Sequence, residues 1–177
     1  GRHPYDVSKS CADLLARAYA HTYGLPVTVA RCGNVYGGGD VAWSRIVPGT
    51  IRSVLRGERP VIRSDGRYTR DYIHVDDVVE AYLALAAATG GAAKGGDVFN
   101  FAPGAPATVR EIVDLLLAIL GRADLEPVVL DTARAEIRDQ SLDASRARRL
   151  LDWEPRLALR EGLERTVPWY RAFLGAP

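Results

Sequence analysis

Tyr5 and Lys9 are the two side chains whose types and spacing best suit proton transfer. Val7, Cys11, Leu14, Leu15, Ala18 and Tyr19 recur at helical spacing, which predicts a helix from Tyr5 to about Tyr23, and Pro4 suits its first turn. Residues four apart on a helix lie one turn apart on one face, so an ammonium would stand beside a phenol. A free phenol titrates near ~10 and is a poor base at neutrality. A neighbouring cation favours the phenolate, which can take a proton from a sugar or alcohol hydroxyl and return it. The same spacing also describes an ordinary surface pair, so the elements around it must decide.

Those elements read as alternating helices and strands, an α/β pattern. Gly24 and Pro26 end the first helix, and the β-branched run Val27 to Arg31 predicts a buried strand. Gly33-Asn34-Val35-Tyr36-Gly37 then reads as a turn-rich loop at the strand's C-terminal end, where open α/β sheets bind ligands. Asn34 offers donors and an acceptor to a sugar hydroxyl or a diphosphate oxygen, or else it is a turn asparagine beside glycine. A helix from Ser44 to Leu55 follows, with Ser44 as N-cap and Pro48 as an early interruption. Pro60-Val61-Ile62 and Tyr68 to His74 read as strands, and Val78 to Ala88 reads as a helix opened by Asp76 and Asp77. Val98 to Phe101 is a short strand. Thr108 and Glu111 have capping-box spacing ahead of a helix to Leu120. Glu126 to Leu130 reads as a strand and Ile137 to Leu142 as an extended segment, with the last helices over 145–151 and 160–174. Trp153 reads as a core anchor and His74 as structural.

Tyr-x-x-x-Lys at 5–9, Arg31-Cys32-Gly33-Asn34-Val35-Tyr36-Gly37 and Arg70-Asp71-Tyr72-Ile73-His74-Val75-Asp76-Asp77-Val78 come in this order. The pattern resembles the extended short-chain dehydrogenases/reductases, the NAD-dependent nucleotide-sugar epimerases and dehydratases. The stretches 43–53 and 59–66 are most similar to the CDP-glucose 4,6-dehydratase branch. The resemblance implies the C-terminal part of an NAD(P)-binding Rossmann-like α/β fold with a smaller α/β substrate-binding domain. Residues 1–35 would end the dinucleotide-binding domain, and residues 36–177 would be mostly substrate domain, with 68–88 packing back on the dinucleotide-binding sheet.

The resemblance also implies residue roles. Tyr5 would take the proton of the sugar C4 hydroxyl, Lys9 would hold the nicotinamide ribose, and Cys32 would join them in the NAD site. Asn34, Arg45, Arg63, Arg70 and Glu136 would contact a nucleotide-diphospho-sugar, CDP-glucose being favoured. Arg70 is the strongest phosphate candidate and Arg45 the next. Arg63, with Ser64, would lie by the base, and Glu136, or Arg138, Asp139 and Gln140 near it, by the ribose. Arg52, Arg56 and Arg59 read as a solvated face. The first helix would pair with its twin in a homodimer. A 4-epimerase or a reductase is the alternative within the family, and a nucleotide-sugar-binding module without chemistry is the alternative outside enzymes.

Composition narrows the classes. The 177 residues suffice for a real core, and 47% hydrophobic with 25% charged residues is ordinary for a globular protein. A net charge of +1 gives nucleic-acid binding no electrostatic support. Two cysteines and three scattered histidines lack metal-ligand spacing. No apolar run approaches the roughly 20 residues of a membrane span, and the expected setting is cytoplasmic. A Ser–His hydrolase has no nucleophile elbow to support it. The sequence holds no methionine and no Gly-x-Gly-x-x-Gly between strand and helix, and Gly37-Gly38-Gly39-Asp40 reads as a plain loop. On the resemblance, about the first half of the enzyme, with the diphosphate loop, is expected outside these residues, and the 177 residues alone are expected to be inactive.

Overall fold

The structure is a computed structural model that describes residues 3–134 and 136–176. It opens on α1 (Pro4–Tyr23), which Gly24 ends in the left-handed conformation. Two strands follow, β1 (Val29–Cys32) and β2 (Asn34–Tyr36), then α2 (Ile46–Leu55). Next come β3 (Val61–Ile62), β4 (Thr69–Arg70), β5 (Tyr72–His74) and α3 (Val75–Ala88). The remainder is β6 (Val98–Phe101), β7 (Ala107–Thr108), α4 (Val109–Ile119), β8 (Val128–Val129), β9 (Asp139–Gln140), α5 (Ser145–Leu151) and α6 (Leu159–Leu174).

The strands pair mostly in parallel. β1 lies beside β6, β2 beside β5 and β3 beside β8. β4 sits between antiparallel β7 and parallel β9. Parallel pairs need crossover helices, and α1 to α6 supply the cover. Two apolar cores result. One gathers Val47, Ile51, Ile112, Leu116, Leu163 and Tyr170 from α2, α4 and α6. The other gathers Ile73, Leu85, Phe99, Phe101 and Trp153 around β6, α3 and α5. Successive strand residues face opposite ways, so β5 sends Tyr72 into the first core and Ile73 into the second. Trp153 is buried edge-on to Phe101 at 5.0 Å, and its Nε1 donates to the Asp77 carbonyl.

Several sequence expectations change. The 33–37 loop contains strand β2, because its backbone pairs with β5 in parallel register, Asn34 opposite Tyr72. The strand expected over 68–74 breaks into β4 and β5 at Asp71. The Asp71 carbonyl accepts from Asn34 N at 2.6 Å and its Oδ2 accepts from Leu142 N at 2.6 Å, so this residue turns the chain from one sheet to the next. The helix expected from Ser44 starts at Ile46 after Arg45, with no side-chain cap. Pro48 fits without a break because it lies in the first turn, where the missing N–H has no partner to lose. The strand expected over 126–130 shortens to Val128–Val129, since Pro127 has no N–H to donate. The segment 137–142 pairs only through Asp139 and Gln140. The Thr108–Glu111 capping box forms as the spacing predicts.

His74 is buried and holds the start of α3, its Nδ1 accepting from Asp76 N at 3.2 Å. Burial pushes its imidazole below the ordinary 6.5, with Arg165 in the same direction, against the pull of Asp76 and Asp77. The unfolded chain therefore takes up this proton before the folded one. Stability is unaffected well above pH ~6.5 and falls as pH drops below that value towards the depressed native one. His74→Asn retains a capping acceptor and removes the titration. Chemical denaturation at a series of pH values should show the variant losing less stability than wild type over that window. An unchanged slope would mean that His74 does not carry the effect.

Candidate active site

The first group of site residues stands on α1. His3 Nδ1 accepts from Tyr5 N at 3.3 Å and sets the helix start. Tyr5 is 62% exposed, and Lys9 Nζ lies over its ring, 5.4 Å from the centroid. Ammonium and phenol thus share one side of the helix, as i,i+4 residues must. Among the described residues no carboxylate lies within ion-pair distance of Lys9. The buried tyrosines are different. Burial, with Asp77 second, drives the Tyr36 phenol up, and burial pushes Tyr72 and Tyr170 to about 12. Those three phenols stay protonated, so they are poor candidates for a base near neutrality.

The second group surrounds a small cleft lined by Cys32, Gly33, Asn34, Arg70, Asp71 and Gln140. Cys32 ends β1 half-buried, and burial raises its thiol, so it is a neutral wall and not a nucleophile. Asn34 opens β2 exposed, its backbone fixed by Asp71 while its side-chain amide makes no hydrogen bond among the described residues. That leaves donors and an acceptor open to a ligand. Gly33 is required here, because a Cβ would stand 2.7 Å from the Asp71 carbonyl oxygen.

Arg70 is largely buried at the edge of this cleft. Its Nη1 donates to the carbonyls of Thr69 and Arg138 at 2.7 and 3.0 Å, and its guanidinium lies over Tyr68. Its Nη2 reaches Glu136 at 3.9 Å, so these two site residues come together. Arg45 and Arg63 are anchored elsewhere, each to a residue of the 40–45 loop. Arg45 pairs with Asp40 at 3.1 Å, and Arg63 donates to the Ser44 carbonyl at 2.7 Å. Neither contacts Arg70 among the described hydrogen bonds and ion pairs.

Two of the arginines read as a solvated face have structural work instead. Arg52 lies over the Trp43 ring, and Arg59 donates to the Glu126 carbonyl at 2.6 Å. Gly38 in the triple-glycine run is accounted for by packing. A Cβ at Gly38 would meet Trp169 at 2.7 Å, and one at Gly37 would meet Val75. Asp77, at the start of α3, is buried and accepts from Arg156 N and Leu157 N, a structural use. A lining residue of this cleft that motif reading gave no role is Asp71. It is 3% exposed and leaves Oδ1 without a hydrogen bond.

A larger concavity, near 400 Å³, lies between α3 and the 152–156 loop and shares no residue with this cleft. Among the described residues no three His, Cys, Asp or Glu side chains are placed to hold a metal, and no helix is long and apolar enough to cross a membrane.

Comparison with known proteins adds to this geometry. A dTDP-glucose 4,6-dehydratase of Actinoplanes sp. is 36% identical over 169 residues, covering 96% of this chain and 51% of the relative. The crystal structure of UDP-glucose 4-epimerase with UDP-glucose from Thermotoga maritima superposes with a TM-score of 0.87 at 37% identity, over 97% of this chain and 54% of that one. DesIV, a dTDP-glucose 4,6-dehydratase from Streptomyces venezuelae with NAD and TYD bound, gives 0.85 at 33% identity, over 97% and 52%. The chain thus spans about half the length of the relatives it matches. Residues 1–102 match the NAD dependent epimerase/dehydratase family, and the chain belongs to that family.

Proposed function

We propose that the protein carrying this chain is an NAD-dependent nucleotide-sugar 4,6-dehydratase in which Tyr5 and Lys9 are the proton-transfer pair. The observation that carries the reading is the Lys9 ammonium held over an exposed Tyr5 phenol. Dehydratases among the relatives support the reaction.

The donor set on α1 fits the nicotinamide-ribose end of NAD: an ammonium without a carboxylate partner among the described residues and a phenol, both open to solvent. When bound, NAD supplies hydride chemistry at a carbinol carbon of the sugar. Tyr5 Oη takes the C4 hydroxyl proton, and Lys9 Nζ steadies the phenolate and holds ribose hydroxyls. Cys32 lines the cofactor side as an uncharged wall. Asn34 holds the sugar or the diphosphate, Arg70 the diphosphate, and Glu136 the ribose. Arg45 reaches the nucleotide from the 40–45 loop and Arg63 from the end of β3 beside it. The exposed Val7, Leu14, Leu15, Tyr19 and Tyr23 of α1 pair with a second copy of the protein.

The stretches 43–53 and 59–66 favour CDP-glucose as the substrate, and relatives that act on dTDP- and UDP-sugars define the competing bases. The full-length protein, given NAD and each of CDP-, dTDP- and UDP-glucose, should form a 4-keto-6-deoxy sugar fastest from CDP-glucose, read as absorbance in alkali. Faster turnover of another base would overturn the CDP assignment and leave the reaction standing. A 4-epimeric product would establish the second reading, favoured by the superposition on a UDP-glucose 4-epimerase. Binding without any product would leave a nucleotide-sugar-binding module. Sedimentation of the same preparation should give a dimer, and a monomer would refute the α1 pairing.

A further inference from the structure

Asp13 sits on α1 one helical turn after Lys9, in the run Lys9, Asp13, Arg17 with four-residue spacing. Its side chain is 13% exposed and its Oδ1 is buried without a hydrogen bond. A carboxylate at this spacing is within ion-pair reach of Lys9. Two arginines engage it instead. Arg31 Nε, on β1, donates to Oδ2 at 2.6 Å, and Arg17 Nη1 stands 3.9 Å from Oδ1. The short, charge-assisted bond from Arg31 is the stronger of the two. Lys9 is left over the Tyr5 ring.

We infer that Arg31 is a positioning residue: by engaging Asp13 it keeps that carboxylate from drawing Lys9 off Tyr5. The inference rests on the proton-transfer role proposed for the pair. It also ties two parts of the site together, since the chain runs from Arg31 of β1 through Cys32 and Gly33 into Asn34, the first residue of β2. Without Arg31, Asp13 would face Lys9 with one weak partner, and the ammonium would swing down the helix by a turn.

The test compares Arg31→Gln, Asp13→Asn and the double variant in the full-length protein. Within this chain Lys9 and Lys94 are the lysines. Peptide-resolved acylation of lysine therefore reads the freedom of Lys9 against Lys94 as an internal standard, with no substrate needed. Arg31→Gln should reduce the Lys9 to Lys94 labelling ratio about two- to threefold, the share that a helical four-residue ion pair withholds. Adding Asp13→Asn should restore it. The kcat with the best nucleotide sugar should fall by about the same two- to threefold in Arg31→Gln, since only that share of Lys9 is drawn off Tyr5, and recover in the double variant.

A purely structural strut would leave the double variant as impaired as Arg31→Gln, and that result overturns the proposal. So does an unchanged labelling ratio in Arg31→Gln. Should that variant fold poorly, Arg31→Lys preserves the cation and should keep the wild-type ratio, and a fall there refutes the proposal equally. Labelling that behaves as stated in a protein with no turnover would sink the proton-transfer reading and not the control of Lys9 by Arg31.

Discussion

Replacing Tyr5 by Phe in the full-length protein should lower kcat about a thousandfold and leave KM for the nucleotide sugar nearly unchanged. The hydroxyl removed moves a proton in the transition state and adds little to ground-state binding. Positioned acid–base groups supply roughly 10²- to 10⁴-fold, and a loss confined to kcat marks an interaction made in the transition state. No other described tyrosine meets the same conditions. Tyr36, Tyr72 and Tyr170 are buried with phenols raised by desolvation. Tyr19 and Tyr23 share α1 and are exposed, but their rings meet at a tilt, 5.4 Å between centroids, with no cation placed over either among the described residues. Tyr68 also has a cation over its ring, but it is only half-exposed and that guanidinium, of Arg70, is held by the Thr69 and Arg138 carbonyls. Tyr82 is exposed, with no cation placed over it among the described residues. Tyr82→Phe, at an exposed tyrosine of α3 outside the α1 face, is therefore the matched control and should keep kcat within about twofold of wild type, the range usual for a surface change. Equal losses in both variants would show that the phenol of Tyr5 has no special role. A Tyr5→Phe protein with near-normal kcat would remove the proton-transfer assignment altogether.

What could be read from the chain beforehand was what short-range rules govern. The α1 boundaries, the Gly24 stop and the Thr108–Glu111 cap depend on neighbours within four residues, and local chemistry specifies them. The Tyr5–Lys9 pairing was legible for the same reason. The fates of Arg45, Arg63 and Arg70 were not. Arg63 and Arg70 depend on partners distant in sequence, Ser44 for Arg63 and Arg138 with Glu136 for Arg70, and Arg45 on Asp40 across a turn of the loop before α2. Asp71 shows the limit most clearly. Its sequence context reads as mid-strand, and only the backbone of Asn34 and of Leu142 turns it into the junction between two sheets. Asp13 and Arg31, 18 residues apart, escaped notice likewise, since the i,i+4 rule nominates Lys9 and Arg17 as the partners of Asp13.

The contact with the least slack lies between α6 and β2. Gly162 is buried against Tyr36, and a Cβ there would come within van der Waals exclusion of the Tyr36 hydroxyl and 3.1 Å from Cζ. Tyr36 has little room to move. It is 3% exposed, its ring meets His74 edge-on at 5.5 Å, and its hydroxyl donates to the Leu159 carbonyl at 3.3 Å. Helix propensity alone would make Gly162→Ala stabilising by about 1 kcal/mol. Overpacking a filled core costs about 1–3 kcal/mol, and a rigid ring wedged between strand and helix places this site at the upper end. The net expectation is a loss of about 2 kcal/mol, measured by chemical denaturation. Tyr36→Phe removes the atom that clashes and forfeits one hydrogen bond worth about 1 kcal/mol. In the double variant the alanine should therefore cost much less than it does alone, giving a coupling of about 1 kcal/mol or more in a double-mutant cycle. Additive losses would show that the helix shifts to accept the methyl group and that Tyr36 does not set its position. Asn34 lies two residues before Tyr36 on the same strand. A displaced ring would pull the Asn34 amide out of place, so the single variant should also raise KM for the nucleotide sugar while the double variant regains it.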